Sequence, residues 1–150
     1  MAQIVQTKGV IITPLKIIEH PKGEIYHIIK DIDPGYIGFG EVYISTINYG
    51  DTKAWKKHIK MTCNFVVPIG KIKMVIIDLK KGNKQQYHIE EFILSPNEYY
   101  RLTIPPGLWY GFKGLAKGKN MLINFADIRH DPCEQINSDY TTNSEITYKW

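Results

Sequence analysis

Apolar residues in this chain come in short packets, and a turn-forming cluster closes nearly every one. The packets are Glu41–Ile47 ("EVYISTI"), Asn64–Ile69 ("NFVVPI"), Lys71–Leu79 ("KIKMVIIDL"), Tyr87–Leu94 ("YHIEEFIL") and Asn120–Ala126 ("NMLINFA"). Between and around them fall "HPKG" at His20–Gly23, "DPGYIGFG" at Asp33–Gly40, "NYGD" at Asn48–Asp51, "KKGN" at Lys80–Asn83, "SPN" at Ser95–Asn97, "PPG" at Pro105–Gly107 and "KGLAKGK" at Lys113–Lys119. Runs of β-branched and aromatic residues at this spacing predict strands. No window holds an amphipathic helix of three turns, and "NEYYRL" has room for one turn at most. Pro68 predicts an edge, a bulge or a strand end before the Gly70 turn. Many short strands with such punctuation predict an all-β sandwich or barrel.

The 150 residues suit one domain with a core of its own. With no repeat, low-complexity tract or linker, the expectation is a single domain over residues 1–150. The polar segment from Asp131 to Trp150, with its late aromatics, is expected to pack outside as an irregular tail. Nineteen Lys and Arg against fifteen Asp and Glu give a net charge of +4. The basic residues are scattered, so a nucleic-acid partner is not indicated, while anionic ligands such as nucleotide phosphates fit. Cys63 and Cys133 form no CxxC pair. That usage predicts a reducing, cytoplasmic setting, with one disulfide left open. The amino terminus lacks the pattern of a signal peptide, and no apolar run is long enough to predict a helix across a membrane.

One pair of motifs stands out. Gly50 is followed by five residues, then Lys56, one residue, then His58; four residues lead on to Cys63, and six more to Gly70. Downstream, Pro105-Pro106-Gly107 is followed by two residues and then Tyr110. This spacing resembles the two-part signature of the cupins, a jelly-roll family, whose metal-binding members place His, His, Glu and His where this chain has Lys56, His58, Cys63 and Tyr110. Zinc, iron and manganese sites want several neutral imidazoles or carboxylates converging on one point. A lysine ammonium there repels a cation, so the donor set predicts no metal site, and His58 reads as a hydrogen-bonded pocket residue.

With its flanks included, the chain resembles the dTDP-4-dehydrorhamnose 3,5-epimerase family, and in particular its shorter epimerase-like cupins. The resemblance rests on "AWKKHIKMTCNFVVPIGKIKMVIIDL", "IPPGLWYGFKGL" (Ile104–Leu115) and the ending "SEITYKW" (Ser144–Trp150), over roughly residues 40 to 150 with the motif core at about 40–127. It implies a double-stranded jelly-roll barrel without metal or cofactor, usually a homodimer, with a nucleotide-diphosphate sugar in the barrel mouth. The family's reaction removes protons beside a 4-keto group and returns them on the opposite face, which needs a base, an acid and a group that stabilises the enolate oxygen.

Carried over by position, the family's catalytic histidine falls on Lys56, the basic residue before it on Lys53, the lysine of the next strand on Cys63, and the histidine of the proline-glycine block on Tyr110. The family's tyrosine acid lies in the strand matching "MLINFADIR", which holds no tyrosine. Lys56 is thus the candidate base or Schiff-base nucleophile, or else a charged contact to a phosphate, a keto oxygen or an acidic neighbour. Tyr110 is the candidate acid. Lys53, His58 and Cys63 are candidate substrate contacts; Tyr49, Trp55 and Trp109 are candidate stacking partners for a base, or packing residues. Three functions follow: an enzyme acting on a nucleotide-linked keto sugar in polysaccharide or glycoconjugate synthesis, a non-catalytic sugar-nucleotide-binding or enzyme-partner protein, or a metal-dependent cupin enzyme.

Overall fold

The computed structural model describes residues 3–4, 7–79 and 87–150. The expected turn at Lys80–Asn83 lies outside them. In chain order the strands are β1 (Gln3–Ile4), β2 (Ile11–Pro14), β3 (Ile17–Ile18), β4 (Ile25–Tyr26), β5 (Glu41–Ile47), β6 (Thr52–His58), β7 (Cys63–Ile69), β8 (Ile72–Leu79), β9 (Tyr87–Leu94), β10 (Tyr100–Ile104), β11 (Trp109–Gly114) and β12 (Asn120–Ala126). A 3-10 turn at Pro132–Glu134 leads into β13 (Gln135–Asn137).

The strands make an antiparallel sheet of order β1-β2-β10-β7-β12-β5, a second of order β13-β6-β11-β8-β9, and a small β3-β4 ribbon. The two larger sheets enclose a core that includes Phe65, Val67, Ile72, Met74, Ile76, Leu102 and Leu122. The result is the all-β jelly roll predicted from the punctuated runs. The second half of "KIKMVIID" is apolar throughout because β8 is buried on both faces: Met74 and Ile76 enter this core, while Val75 and Ile77 enter a second cluster outside the five-stranded sheet.

β7 lies between β10 and β12. Near Pro68, the residue that cannot donate to a ladder, its register with β12 slips between Met121 and Ile123. At Gly70 the chain reverses with φ +86°, and a Cβ there would stand 2.4 Å from the Lys119 carbonyl oxygen, so only glycine fits without displacement. "NEYYRL" forms no helical turn: Ser95 bridges to Glu98, and β10 begins at Tyr100.

The segment from Asp131 departs from the expected irregular tail over residues 132–137, while residues 138–150 are irregular and pack outside. Asp131 caps the 3-10 turn by accepting from the Cys133 N–H, and β13 pairs with β6. The reason is an open edge: β6 needs a second partner, and Gln135–Asn137 supplies it. Beyond β13 the chain crosses the outside of the five-stranded sheet, where Ile146, Tyr148 and Trp150 cover Trp55, Val75, Ile77 and Trp109. Gly111 permits that closure, since a Cβ there would meet Ala54 at 2.4 Å and the Trp150 ring at 2.9 Å.

Candidate active site

A cavity of about 570 Å³ opens between the two sheets. Its polar wall comes from β6 and β11, where Tyr110 pairs with Lys56 and Phe112 with Lys53 across the ladder. Directly paired residues share a face of a sheet, so Lys53, Lys56 and Tyr110 line the cavity together. The Lys53 ammonium donates to the Thr46 carbonyl at 2.8 Å, tying β6 to β5. Phe65 and Leu122 form part of the apolar lining, and Ser138, Asp139 and Tyr140 stand at the lip. Ser138 is held by two backbone bonds to Trp55, at 2.6 and 2.9 Å.

Behind Tyr110 lies a buried chain of polar groups. The Tyr110 hydroxyl is 3.1 Å from His58 Nε2, and His58 Nδ1 contacts a carboxylate oxygen of Glu134. The other Glu134 oxygen accepts from the backbone N–H groups of Lys60 (3.1 Å) and Met61 (3.2 Å). His58 and Glu134 are each only 4% exposed. Burial alone would push the Glu134 carboxyl up, but the His58 bond and the two backbone donors outweigh it and hold the group below its ordinary value. Burial pushes His58 down, against the opposing pull of Glu134, and Lys56 adds to the lowering.

These directions fix the protons. An ionised Glu134 only accepts, so His58 Nδ1 carries hydrogen; a neutral imidazole then offers Nε2 as acceptor, and the Tyr110 hydroxyl donates to it. Both ring nitrogens are therefore occupied by protein partners, which leaves His58 no lone pair for a metal. Among the described residues no three His, Cys, Asp or Glu side chains are grouped so as to hold one.

The facing wall carries Tyr43, on β5 in the opposing sheet and also lining the cavity. Its hydroxyl accepts from Asn124 Nδ2 at 2.9 Å. The amide orientation follows from its surroundings: Asn124 Oδ1 accepts the Asn64 N–H at 3.0 Å, so the NH₂ end must face Tyr43. Burial, more than any other influence, raises both tyrosines, with Tyr110 well above the usual phenol value.

Of the residues singled out from sequence, Lys53, Lys56 and Tyr110 meet at one cavity. His58 stands behind Tyr110, one step from the cavity surface. Cys63 is 1% exposed, and burial pushes its thiol up to about 12, so it is a protonated core residue outside the cavity lining; Cys133 is also free, and exposed. Trp55 borders the cavity, but the expectation that its ring stacks on a base is corrected: the indole, 2% exposed, packs against Tyr148 and Trp150 in the outer cluster. As the neighbour of Lys56 in the strand, Trp55 takes the opposite face by simple alternation, and the β6–β11 register shift between Tyr110 and Phe112 is what brings Lys53 to the face of Lys56. Trp109 lies in the same cluster under the Lys57 ammonium. Tyr49 is likewise corrected, being 57% exposed and outside the cavity lining. Sequence reasoning missed Glu134 and Tyr43. Nothing local marks Glu134, 76 positions from His58; the alternation of "EVYISTI" would turn Val42 and Ile44 inward, whereas both are exposed and Tyr43 faces in.

No family model matches the chain. It is 28% identical over 90 residues to the probable low-salt glycan biosynthesis epimerase Agl13 of Haloferax volcanii, a match that takes in 59% of this chain and 58% of that protein. Among solved structures, the dTDP sugar isomerase of Desulfovibrio desulfuricans G20 superposes with a TM-score of 0.92 at 29% identity, over 99% of this chain and 95% of the other. The dTDP-6-deoxy-D-glucose-3,5-epimerase RmlC of Legionella pneumophila, solved with dTDP-4-keto-L-rhamnose, shares the fold with a TM-score of 0.82 at 18% identity, over 100% and 82% of the two chains. Two facing antiparallel sheets, a cavity between them at the predicted motifs and these likenesses agree on one fold: the chain has the jelly-roll fold of the dTDP-4-dehydrorhamnose 3,5-epimerase-like cupins and is similar to sugar isomerases and epimerases of that fold.

Proposed function

We propose that the protein is an enzyme that moves a proton on a nucleotide-linked 4-keto sugar, for the assembly of a surface polysaccharide or glycoconjugate. One observation carries this reading: Lys56 and Tyr110, paired on adjacent strands, enter the same cavity. A proton beside a carbonyl becomes removable when a cation or donor holds the oxygen as it turns to enolate. Lys56 supplies that charge, and the Tyr110 hydroxyl supplies a proton-transfer group beside it. Lys53 and residues Ser138 to Tyr140, which line the same cavity, are the proposed contacts to the nucleotide portion. Lys56 then acts as the oxygen's counter-charge rather than as the base.

The test is incubation of the protein with dTDP-4-keto-6-deoxyglucose in heavy water, repeated with other nucleotide keto sugars. The reading expects deuterium at C3 or C5 and its loss, by 100-fold or more, in Lys56→Ala. Nucleotide-dependent thermal stabilisation without exchange would favour a binding protein instead.

We also propose that the enzyme is a homodimer joined through the β5 edge. This strand ends the six-stranded sheet, and Val42, Ile44 and nearby Phe39 are all more than half exposed on it or beside it. A self-complementary edge with apolar side chains fits a second copy of the same chain.

A further inference from the structure

Two tyrosines reach the cavity from opposing sheets, and their hydrogen bonds are oriented in opposite senses. Tyr110, on β11, donates its proton inward to His58, so the side of its oxygen that faces the cavity is a lone pair. Tyr43, on β5, accepts from Asn124, so its own hydrogen is free to point into the cavity. The first arrangement takes protons and the second gives them. Neither polarity is a free choice of rotamer: Glu134, held by two backbone N–H groups, sets the first, and the Asn64 N–H, through the Asn124 carbonyl oxygen, sets the second.

We infer that Tyr110 is the base and Tyr43 the acid of the reaction proposed above, with His58 and Glu134 as the relay that empties and refills Tyr110. The assignment rests on that proposed function and reverses the part expected for Tyr110 from sequence. In the forward step the sugar C–H bond breaks, and its electron pair becomes the carbon–carbon double bond of the enolate, whose oxygen faces Lys56. The hydrogen joins Tyr110 Oη as the original phenolic hydrogen passes to His58 Nε2. Because the two transfers are coupled, no free phenolate forms, which suits a phenol buried as deeply as Tyr110. The imidazolium so made is neutralised by the Glu134 carboxylate. Tyr43 then donates its hydrogen to the carbon from the other sheet, hence to the other face of the sugar. The tyrosinate this leaves accepts from Asn124 and regains a proton from solvent at the cavity mouth; Tyr110 releases the hydrogen it gained to solvent as His58 Nε2 hands the original one back, so both tyrosines and the neutral imidazole are restored.

The pair has a fingerprint that a merely structural role lacks. Tyr110→Phe should lose solvent deuterium exchange by about 10²–10⁴-fold while still binding dTDP. Tyr43→Phe should keep exchange within about tenfold, because Tyr110 can return solvent deuterium to the same face, yet lose inversion of the sugar centre. Glu134→Gln should keep the two backbone bonds through its carboxamide oxygen and turn its NH₂ toward His58, reversing the tautomer; exchange should fall by about 10²-fold with KM little changed.

The tautomer is read without activity, from the ¹⁵N shifts of His58 in the full chain: hydrogen on Nδ1 and an accepting Nε2 in the wild type, the reverse in Glu134→Gln. Exchange that survives Tyr110→Phe, inversion that survives Tyr43→Phe, or hydrogen on Nε2 in the wild type would each overturn the assignment. If the wild type exchanges nothing from any nucleotide keto sugar, the proposed function itself fails. If it exchanges but the variants do not divide in this way, only the tyrosine assignment fails.

Discussion

Replacing Glu134 by alanine tests whether the buried Glu134–His58 pair holds the C-terminal turn against β6. The carboxylate receives three hydrogen bonds, from His58 Nδ1 and from the Lys60 and Met61 N–H groups. Lys60 is exposed, so water can replace the carboxylate at its N–H. His58 is 4% and Met61 1% exposed, so two donors are stranded in the interior at about 1–3 kcal/mol each. The expected loss is about 4 kcal/mol, or about 8–16 °C in Tm for a chain of this length. Glu134→Gln, which keeps the two backbone bonds, should lose about 1–2 kcal/mol.

The assay is urea unfolding followed by tryptophan fluorescence from pH 8 to pH 4. The folded Glu134 carboxyl lies below its unfolded value of 4.5, so its stabilisation is whole above pH 4.5 and is lost as pH falls through the folded value. His58, lowered from 6.5 by burial, adds a term of the same sign: its contribution is present above pH 6.5 and is lost as pH falls. The wild type should therefore weaken steadily below pH 6.5, and the gap between wild type and Glu134→Ala should narrow below pH 4.5. A loss under 0.5 kcal/mol at pH 7, or a gap that does not change with pH, would refute the reasoning.

Other consequences are open to direct measurement. At pH 8 the native protein should react with one equivalent of a thiol reagent, at exposed Cys133, and with a second only after unfolding, because the buried Cys63 thiol stays protonated; two fast equivalents would contradict this. Arg101 is fully buried and donates to Asn64, Thr13, Asp33 and the carbonyls of Ile28 and Pro34. Arg101→Ala should cost about 3–5 kcal/mol by leaving those acceptors without a donor, measured by the same urea titration; a loss under 1 kcal/mol would contradict it. Ile44→Glu on the exposed face of β5 should convert a dimer to a monomer in sedimentation equilibrium without changing far-ultraviolet dichroism. An unchanged mass would exclude that face as the interface.

The strands were legible because most face a core, so their apolar residues cluster and turn residues end them. β6, "TKAWKKH", was not among the predicted runs because its inward positions face a polar cavity, so it carries charge where a core strand would carry valine. β2, β10 and β11 were not among them either, and "NEYYRL" leads into β10 instead of a turn of helix. The motif spacing nevertheless located β6, since Gly50, Gly70 and Gly107 sit at turns with positive φ, where glycine is favoured whatever side chains lie between. Trp55 was misplaced although simple alternation from Lys56 turns it to the opposite face of β6; the irregularity opposite Gly111, which leaves no trace in composition, instead brings Lys53 to the cavity side. Glu134 was hidden in a segment that reads as polar tail; only pairing of β13 with β6 brings its carboxylate to His58. The late aromatics of that tail, Tyr148 and Trp150, did signal packing, and they cover the outer sheet.

The account depends on a sugar bound between the β6–β11 wall and β5. A crystal structure of the protein soaked with dTDP-4-keto-6-deoxyglucose tests it most directly. The account predicts the keto oxygen on Lys56 and the ring between the hydroxyls of Tyr110 and Tyr43. A nucleotide sugar seated elsewhere, such as the cleft beside Arg129 and His130, with this cavity unchanged, would contradict it.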